Sequence, residues 1–423
     1  MKRILQKIQS NDMVNLFFAL RGNPRACIWT EPLWGIPYNL YLPYVTLFMT
    51  AIGMTYAEIG YVTSITMASQ MVFAVLSGVL TDKLGRRRCT VIFDVLGWSV
   101  PELIWMCSQN FAWFAVAALF NGMWRVTENS WYLLLIEDAP KEHIVPMCSL
   151  SQLMGLFAAF FAPLSKLAID AFGIVPTMRV FYGLACVMMT AKFLILYRYS
   201  TETENGLHRM AATRDKSSWR LLWECKDVYL KIIREKRMLL TLGIMAAYTL
   251  IITINDSYWA LYIRDILGIS AGNVALFSTL KSLVTLVGAF LLVPKLKHMN
   301  FRRPVLTALA VFAAAQILLL LNPGEWALAP GLILSVALEA AAISVLNPMT
   351  NSLLFINAEE DERARVCGMV FATVALLVTI FPAMVGRLAQ ISLFLPFVIN
   401  LCLFGVAALL TVWISRVNCA QKD

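Results

Sequence analysis

Long hydrophobic runs, each close to twenty residues, dominate the chain and are separated by short polar segments. Met238–Tyr262 and Gly331–Leu354 are examples, and about twenty apolar residues is the length that a helix needs to cross a bilayer. Strands of a membrane barrel would instead alternate apolar and polar positions over about ten residues. The pattern therefore predicts an all-α integral membrane protein. Twelve spans are predicted, at 29–52, 58–80, 88–108, 111–136, 147–172, 176–198, 238–263, 272–293, 304–321, 326–352, 366–388 and 392–415.

The composition indicates a lipid environment rather than a water-soluble fold. Hydrophobic residues make up 59% of the 423 residues and charged residues only 14%, whereas a soluble domain carries about 25% charged residues. The net charge of +9 would suit nucleic-acid binding, but Lys and Arg cluster in alternate loops between the spans. This distribution predicts a multi-pass protein of the plasma or inner cell membrane, with both termini in the cytoplasm and no nucleic-acid partner.

The polar segments divide the chain into five parts. The first part includes a stretch at 4–20 that we predict to be an amphipathic helix on the inner membrane surface. Two groups of six spans joined by a charged linker match the repeat organisation that many transporters use. The parts are a cytoplasmic N-terminal segment, a first six-helix bundle, a cytoplasmic linker, a second six-helix bundle and a cytoplasmic tail, at 1–25, 26–199, 200–237, 238–416 and 417–423.

The loop between the second and third spans carries a recognisable motif, Gly78-Val-Leu-Thr-Asp82-Lys-Leu-Gly85-Arg86-Arg87-Arg88. It resembles the signature of the major facilitator superfamily, commonly written G-x-x-x-D-x-x-G-R-R. Chain length, span count and the central linker extend this resemblance over essentially the whole sequence. It implies the fold of that superfamily, with twelve transmembrane helices in two six-helix bundles.

The signature motif implies a gate on the cytoplasmic side. We expect Gly78 to let two helices approach closely and Gly85 to permit a sharp turn. Asp82 is expected to cap the following helix and to pair with a basic residue, while Arg86 and Arg87 hold the cytoplasmic side. In the family, such a loop latches the two halves together.

Three other stretches bear on the family resemblance. Glu137 and Asp138, in an acidic connection after the fourth span, either pair with Arg86 and complete the latch or only solvate the helix end. Thr201-Glu202-Thr203 after the sixth span resembles the Pro-Glu-Thr of sugar transporters but lacks the Pro. The fifth span departs from the Gly-Pro motif of drug antiporters, since Ala162 replaces the Gly, and this departure counts against drug efflux.

The fourth span carries the clearest polar stripe. An ionised side chain in the middle of a bilayer costs at least about 2.5–3.5 kcal/mol, so it is expected to face a cavity or a partner. Arg125, Glu128, Asn129 and Tyr132 recur at helical spacing and share one face. We interpret them either as a substrate-binding Arg beside a protonatable Glu, or as an ion pair that only fixes helix packing.

Further polar residues lie in spans that line the central cavity in the family, or beside them. Lys281 in the eighth span is expected to neutralise Asp256 or Glu339, and Glu102 in the third span is expected to face Arg125. The remaining candidates for substrate or proton binding, in the first, seventh and tenth spans, are Tyr38, Trp259 and Asn347.

These features predict a secondary active transporter that moves a small polar or amphipathic organic solute by alternating access. Because no His lies in a span, proton coupling would use a carboxylate, with Glu128, Glu339 and Asp256 as candidates. A drug or metabolite efflux antiporter, a lipid flippase and a non-transporting membrane sensor are the alternatives. We expect no enzyme activity, metal or cofactor. The expected partners of a monomer are the solute, a proton or other coupling ion, and the lipid bilayer.

Overall fold

A computed structural model describes residues 12–217, 235–292, 301–321, 330–356 and 363–419. Within these residues the chain folds into helices with no strand, which confirms the predicted all-α class. Residues 4–11 of the predicted surface helix, the second part of the linker and the last four residues lie outside the described ranges.

The first bundle contains the helices of the first six predicted spans. A short helix, Asp12–Ala19, precedes it, and four of its spans consist of two consecutive helical segments. From the first span to the sixth, the helices are Gly22–Tyr41 with Val45–Ala51, Tyr56–Leu84, Arg86–Asp94 with Val100–Cys107, Phe111–Asn121 with Trp124–Ile136, Lys141–Ala159 with Ala162–Phe172, and Ile174–Tyr199.

A linker helix, Glu204–Thr213, leads towards the second bundle. The helices of the second bundle are longer and less often interrupted than those of the first. From the seventh span to the twelfth, they are Lys236–Asp265, Val274–Leu291, Arg302–Leu320, Pro330–Ile356, Arg363–Val378 with Phe381–Ile391, and Leu395–Cys419.

In the part of the chain that the structure describes, ten helices are long and apolar enough to cross a membrane. The two other predicted spans, the first and the fourth, are present as helices but are interrupted and more polar. The turn Leu42–Tyr44 divides the first span, and the fourth divides at Gly122. The fourth span also carries Arg125 and Glu128, which lower its hydropathy.

Local sequence signals fix the ends of the second span. It starts with a capping box, in which the Glu58 amide donates to Thr55 Oγ1 at 3.2 Å and the Thr55 amide donates to Glu58 Oε2 at 2.7 Å. It ends at Gly85, whose φ of 82° lies in the region that favours glycine. This confirms the turn predicted for Gly85, which reverses the chain into the third span.

The hydrophobic core extends across both bundles. Tyr44, Phe48 and Tyr182 of the first bundle belong to the same buried cluster as Tyr258 and Leu261 of the second. These residues are at most 1% exposed. Burial of large aromatic side chains contributes much of the energy of such contacts, so the bundles pack against each other through a continuous apolar surface.

Among the described residues, six hydrogen bonds join the bundles at the end of the molecule away from the signature loop. We call that end the distal side, and the end that holds Gly85 and the linker helix the signature side. The bonded pairs are Tyr44–Gly272 at 3.1 Å, Tyr56–Asp265 at 2.7 Å, Thr50–Arg264 at 3.0 Å, Tyr56–Tyr258 at 3.4 Å, Ser64–Ala383 at 3.0 Å and Tyr61–Arg387 at 2.8 Å.

Two glycines permit the closest crossing on the distal side. A Cβ at Gly60 in the second span would meet the Pro382 carbonyl oxygen and the Cα of Gly386 in the eleventh span. By contrast, a Cβ at Gly78 would meet nothing within 4 Å. The prediction that Gly78 permits a close helix approach is therefore wrong, because the crossing uses Gly60, nearer the start of the same helix.

Gly60→Leu should separate the second and eleventh spans, since the larger side chain cannot fit against the facing backbone. Overpacking of this kind costs about 1–3 kcal/mol. We expect a lower thermal unfolding temperature for the purified variant. Gly78→Leu, in the same helix but in open space, is the matched control. An equal loss in both variants would contradict the assignment of the crossing to Gly60.

Candidate functional site

The polar stripe of the fourth span faces the second bundle. Arg125 Nη1 donates to Glu128 Oε2 at 2.6 Å, and Arg125 Nε donates to Gln70 Oε1 at 3.2 Å. The guanidinium lies 4.3 Å from the centroid of the Trp124 ring and 5.8 Å from that of Phe371 in the eleventh span. Arg125 is thus held by its own bundle while it contacts the other.

The Arg125–Glu128 pair remains accessible. Their side chains are 25% and 48% exposed, and exposed ion pairs of this type contribute only about 0–1 kcal/mol to stability. Asn129 is half-buried and Tyr132 is exposed on the same helix face. An accessible pair that adds little to folding fits a binding surface better than a packing seam.

A network of charged and amide side chains lies in the second bundle. Lys281 Nζ lies 2.7 Å from Glu339 Oε1 and 3.9 Å from Asp256 Oδ1, as expected for a Lys that neutralises these carboxylates. Asn255 donates to Glu339 at 2.7 Å. Glu339 is only 7% exposed whereas Asp256 is 65% exposed, so Glu339 is the structural partner and Asp256 is the accessible carboxylate.

The other polar candidates of the second bundle lie on its seventh and tenth spans. Tyr248 donates to Asn347 Oδ1 at 2.6 Å, which ties the two spans together. Trp259 packs edge-on against Phe277 at a centroid distance of 6.0 Å, and its buried Nε1 has no hydrogen-bond partner in the part of the chain that the structure describes. Asn347 is exposed and Trp259 is half-buried.

Tyr38 sits in an aromatic cluster of the first bundle. Its ring stacks on Trp34 at 4.6 Å and meets Trp98 edge-on at 5.8 Å. Its hydroxyl lies within electrostatic range of Asp256 in the second bundle and of Glu102 in the first. Tyr38 stays a predicted site residue.

Glu102 does not face Arg125, contrary to expectation. It is fully buried, and the groups that interact with it electrostatically are Tyr38, Tyr41 and Tyr182. The third span contains a π-helical turn at Val95–Ser99, just before Glu102. Such a turn adds a residue and rotates the following helix, and the sequence gives no sign of it.

Sequence reasoning missed a buried ion pair between the first and sixth spans. Lys192 Nζ lies 2.8 Å from Glu31 Oε2, with side chains 6% and 14% exposed. The Trp34 and Trp131 rings lie 5.7 and 5.8 Å from the ammonium. Glu31 is therefore neutralised by a cation of another span. The sequence signal that could have revealed this pair is Lys192, a single cation inside the apolar run of the sixth span.

The signature loop is built around Arg86. This Arg is 3% exposed and binds Glu137 with Nη2–Oε1 at 3.0 Å and Asp82 with Nη1–Oδ1 at 3.2 Å. Arg209 of the linker helix adds a second contact to Asp82, at 2.6 Å. The expected pairing of Asp82 with a basic residue and of Glu137 with Arg86 is present. Arg87 donates to the Tyr197 carbonyl oxygen at 2.6 Å.

Glu202, not Asp82, caps the third span. The Arg86 amide donates to Glu202 Oε1 at 2.7 Å, and the Arg87 amide donates to Oε2 at 3.1 Å. Asp82 is occupied by Arg side chains, which explains why the predicted cap is wrong. Asp138 likewise does not bind Arg86, since it accepts from Asn23 at 3.2 Å and from the Glu204 amide at 3.3 Å.

Replacing Glu202 should loosen the signature loop. Glu202→Ala removes two amide contacts at a helix N-terminus, and loss of such a cap costs about 1–2 kcal/mol. We expect this decrease in the free energy of unfolding, measured with denaturant in mixed micelles. Glu202→Gln keeps one acceptor and should lose less. Asp215→Ala, exposed in the same linker, is the control, and an equal effect there would rule out the cap.

Removing Lys281 should leave two carboxylates without their cation. Lys281→Met is expected to lower the free energy of unfolding by about 3 kcal/mol, because a buried charge then lacks its partner. Adding Glu339→Gln should restore part of that loss. Lys166→Met, which breaks an accessible pair with Asp170, is the control and should cost less than about 1 kcal/mol. Wild-type stability of Lys281→Met would contradict the network.

Several solved structures share the fold of this chain at low sequence identity, so the likeness concerns the fold alone. A variant of the nucleoside transporter NupG has a TM-score of 0.74 at 11% identity, covering 93% of this chain and 100% of that chain. The peptide transporter POT in complex with sulfate has a TM-score of 0.68 at 15% identity, covering 97% and 99%. The human organic anion transporter MFSD10 (TETRAN) has a TM-score of 0.57 at 16% identity, covering 92% and 98%.

The sequence comparison identifies the family. No curated protein matches the chain significantly. The family model described as Major Facilitator Superfamily matches residues 34–258 and 238–418, so it extends over both bundles. This agrees with the signature motif and with the transporter folds above. The chain is a multi-pass membrane protein of the transporter class, and it belongs to the major facilitator superfamily.

Proposed function

We propose that this protein is a secondary active transporter that moves a small polar or amphipathic organic solute by alternating access, coupled to protons. The observation that carries the proposal is the accessible Arg125–Glu128 pair, which contacts Phe371 of the opposite bundle. A solute bound there would touch both bundles, and contact with both is what couples binding to their relative movement.

We orient the signature side towards the cytoplasm of a cell membrane, with both termini on that side. The support is the concentration of Lys and Arg in loops on that side. In this orientation, the six hydrogen bonds of the distal side close the external face, and the solute site opens inwards. Opening to the outside would require those bonds and the Gly60–Gly386 crossing to separate.

The residues around the site favour a solute with an anionic or planar group. Arg125 presents guanidinium donors suited to a carboxylate, and the aromatic faces of Trp124 and Phe371 lie beside it. The solved relatives above transport nucleosides, peptides or organic anions according to their names. Glu128 and Asp256 are the accessible carboxylates, and we assign to them the handling of solute charge and the exchange of protons with water.

The test begins with a thermal-shift screen of the purified protein against nucleosides, dipeptides, organic anions, sugars and organic cations. A ligand stabilises the folded state that it binds, so a hit names the chemical class. We expect the hit to accumulate in proteoliposomes when a pH gradient is imposed. Arg125→Ala should weaken its binding about tenfold or more, because a charge-assisted contact is lost.

Arg198→Ala is the matched control, since its guanidinium lies only beside the Tyr199 ring, at 6.0 Å from the centroid. It should bind and transport the hit like the wild type. Full activity of Arg125→Ala would remove the assigned site. Uptake that proceeds equally with and without a pH gradient would remove the proton coupling.

A further inference from the structure

A group of buried polar side chains without hydrogen-bond partners lies in the distal half of the first bundle. We call it the tyrosine pocket, and it consists of Glu102, Tyr41, Trp105 and Tyr182. Glu102 is 0% exposed, and among the described residues neither of its carboxyl oxygens has a hydrogen bond of normal geometry, although the Tyr41 hydroxyl lies close enough to interact with the carboxyl. The Tyr41 and Tyr182 hydroxyls and Trp105 Nε1 are also buried without partners. Unpartnered buried groups are rare in proteins, and each calls for an explanation.

The pocket is enclosed by rings from three spans. Tyr41 of the first span lies 5.1 Å from Tyr182 of the sixth, and Trp105 of the third span lies 5.6 Å from Tyr182, between ring centroids. The Tyr41 and Trp105 centroids are 6.5 Å apart. Walls of this kind exclude water, so the Glu102 carboxyl is surrounded by a medium of low polarity.

No cation is among the groups that act on Glu102 in the described chain. The neighbouring helix of the fourth span, Phe111–Asn121, contains no titratable residue. The facing groups from the first and sixth spans are neutral phenols and a thiol: Tyr38, Tyr41, Tyr182 and Cys186. The Tyr41 hydroxyl is the one potential donor among these groups. A single neutral donor does not replace a counter-charge, and an ionised carboxylate without a cation is far costlier to bury than a neutral acid. Glu102 therefore holds a proton in this conformation.

We infer that Glu102 is a proton-binding site inside the first bundle, separate from the solute site and loaded in the conformation that is closed on the distal side. The step is a proton transfer alone: the carboxylate accepts a proton from water, and the acid returns it to water when the pocket opens. As a coupling site, it rests on the proposed transport function.

The third span contains an element that can open the pocket. The π-helical turn Val95–Ser99 directly precedes Pro101 and Glu102. Rewinding it as α-helix would remove one residue from the turn and rotate the following helix by about 100°. That rotation takes the Glu102 carboxyl out of the tyrosine pocket. Tyr38, which interacts with both Glu102 and Asp256, marks the side on which the pocket borders the other bundle.

Infrared difference spectroscopy tests the site without a solute. Purified protein in lipid is exposed to steps of buffer pH, and the carbonyl stretch of protonated carboxyl groups is followed. We expect a band at neutral pH in the wild type that is absent from Glu102→Gln and shifted in Glu102→Asp. Glu339→Gln is the control, because its carboxylate is also buried but is paired with Lys281, and it should keep the band.

Absence of the band from the wild type, or its persistence in Glu102→Gln, overturns the proton site. If Glu102→Gln does not fold, the band shift in Glu102→Asp is the test of the proton site.

A transport assay tests the coupling role. Glu102→Gln should retain solute counterflow in proteoliposomes and lose accumulation driven by a pH gradient. Accumulation at the wild-type level overturns the coupling role. A wild type that carries the band but moves no solute would refute the proposed function and leave the proton site intact.

Discussion

The cost of placing a charge in lipid governs how this protein is built. Each of three cations deep in the helices has an acidic partner within 2.8 Å: Arg125 has Glu128, Lys192 has Glu31, and Lys281 has Glu339. Two of these pairs link different spans, so the need to neutralise charge also fixes which helices pack together. The third pair lies within one helix turn and stays accessible, which leaves it available to a ligand.

The two ends of the molecule are held together in different ways. On the distal side, hydrogen bonds and the Gly60–Gly386 crossing join one bundle to the other. On the signature side, Arg86 and Asp82 bind Glu137 and Arg209, all within the first bundle and the linker helix. The signature loop is therefore braced by its own half in this conformation. Under the proposed alternating access, the two ends open in turn around the site between the bundles, and in this conformation the distal end is the closed one.

The sequence predicted the features that depend on composition or on local spacing. Apolar runs predicted the helices, and complementary charge predicted that Lys281 would neutralise Asp256 or Glu339; the structure places it near both. The sequence did not predict features that depend on the rotation of a helix about its axis. A span whose residues are apolar on all sides has no periodic polar face that fixes its orientation. The orientation of Glu102 away from Arg125 could not be predicted for this reason. The cap of the third span could not be predicted either, because it comes from Glu202, more than a hundred residues along the chain.

Glu102 and Glu339 illustrate how surroundings assign different roles to the same side chain. Both are buried in the distal half of a bundle, yet Glu339 accepts from Asn255 and pairs with Lys281, whereas the groups near Glu102 in the described chain are neutral. A paired carboxylate is stable as an anion in every conformation that keeps its cation, so it stabilises structure. A carboxyl with no cation can remain buried only as long as it keeps its proton, so its burial and its protonation are one equilibrium. That linkage is the physical requirement for a proton to drive a conformational change.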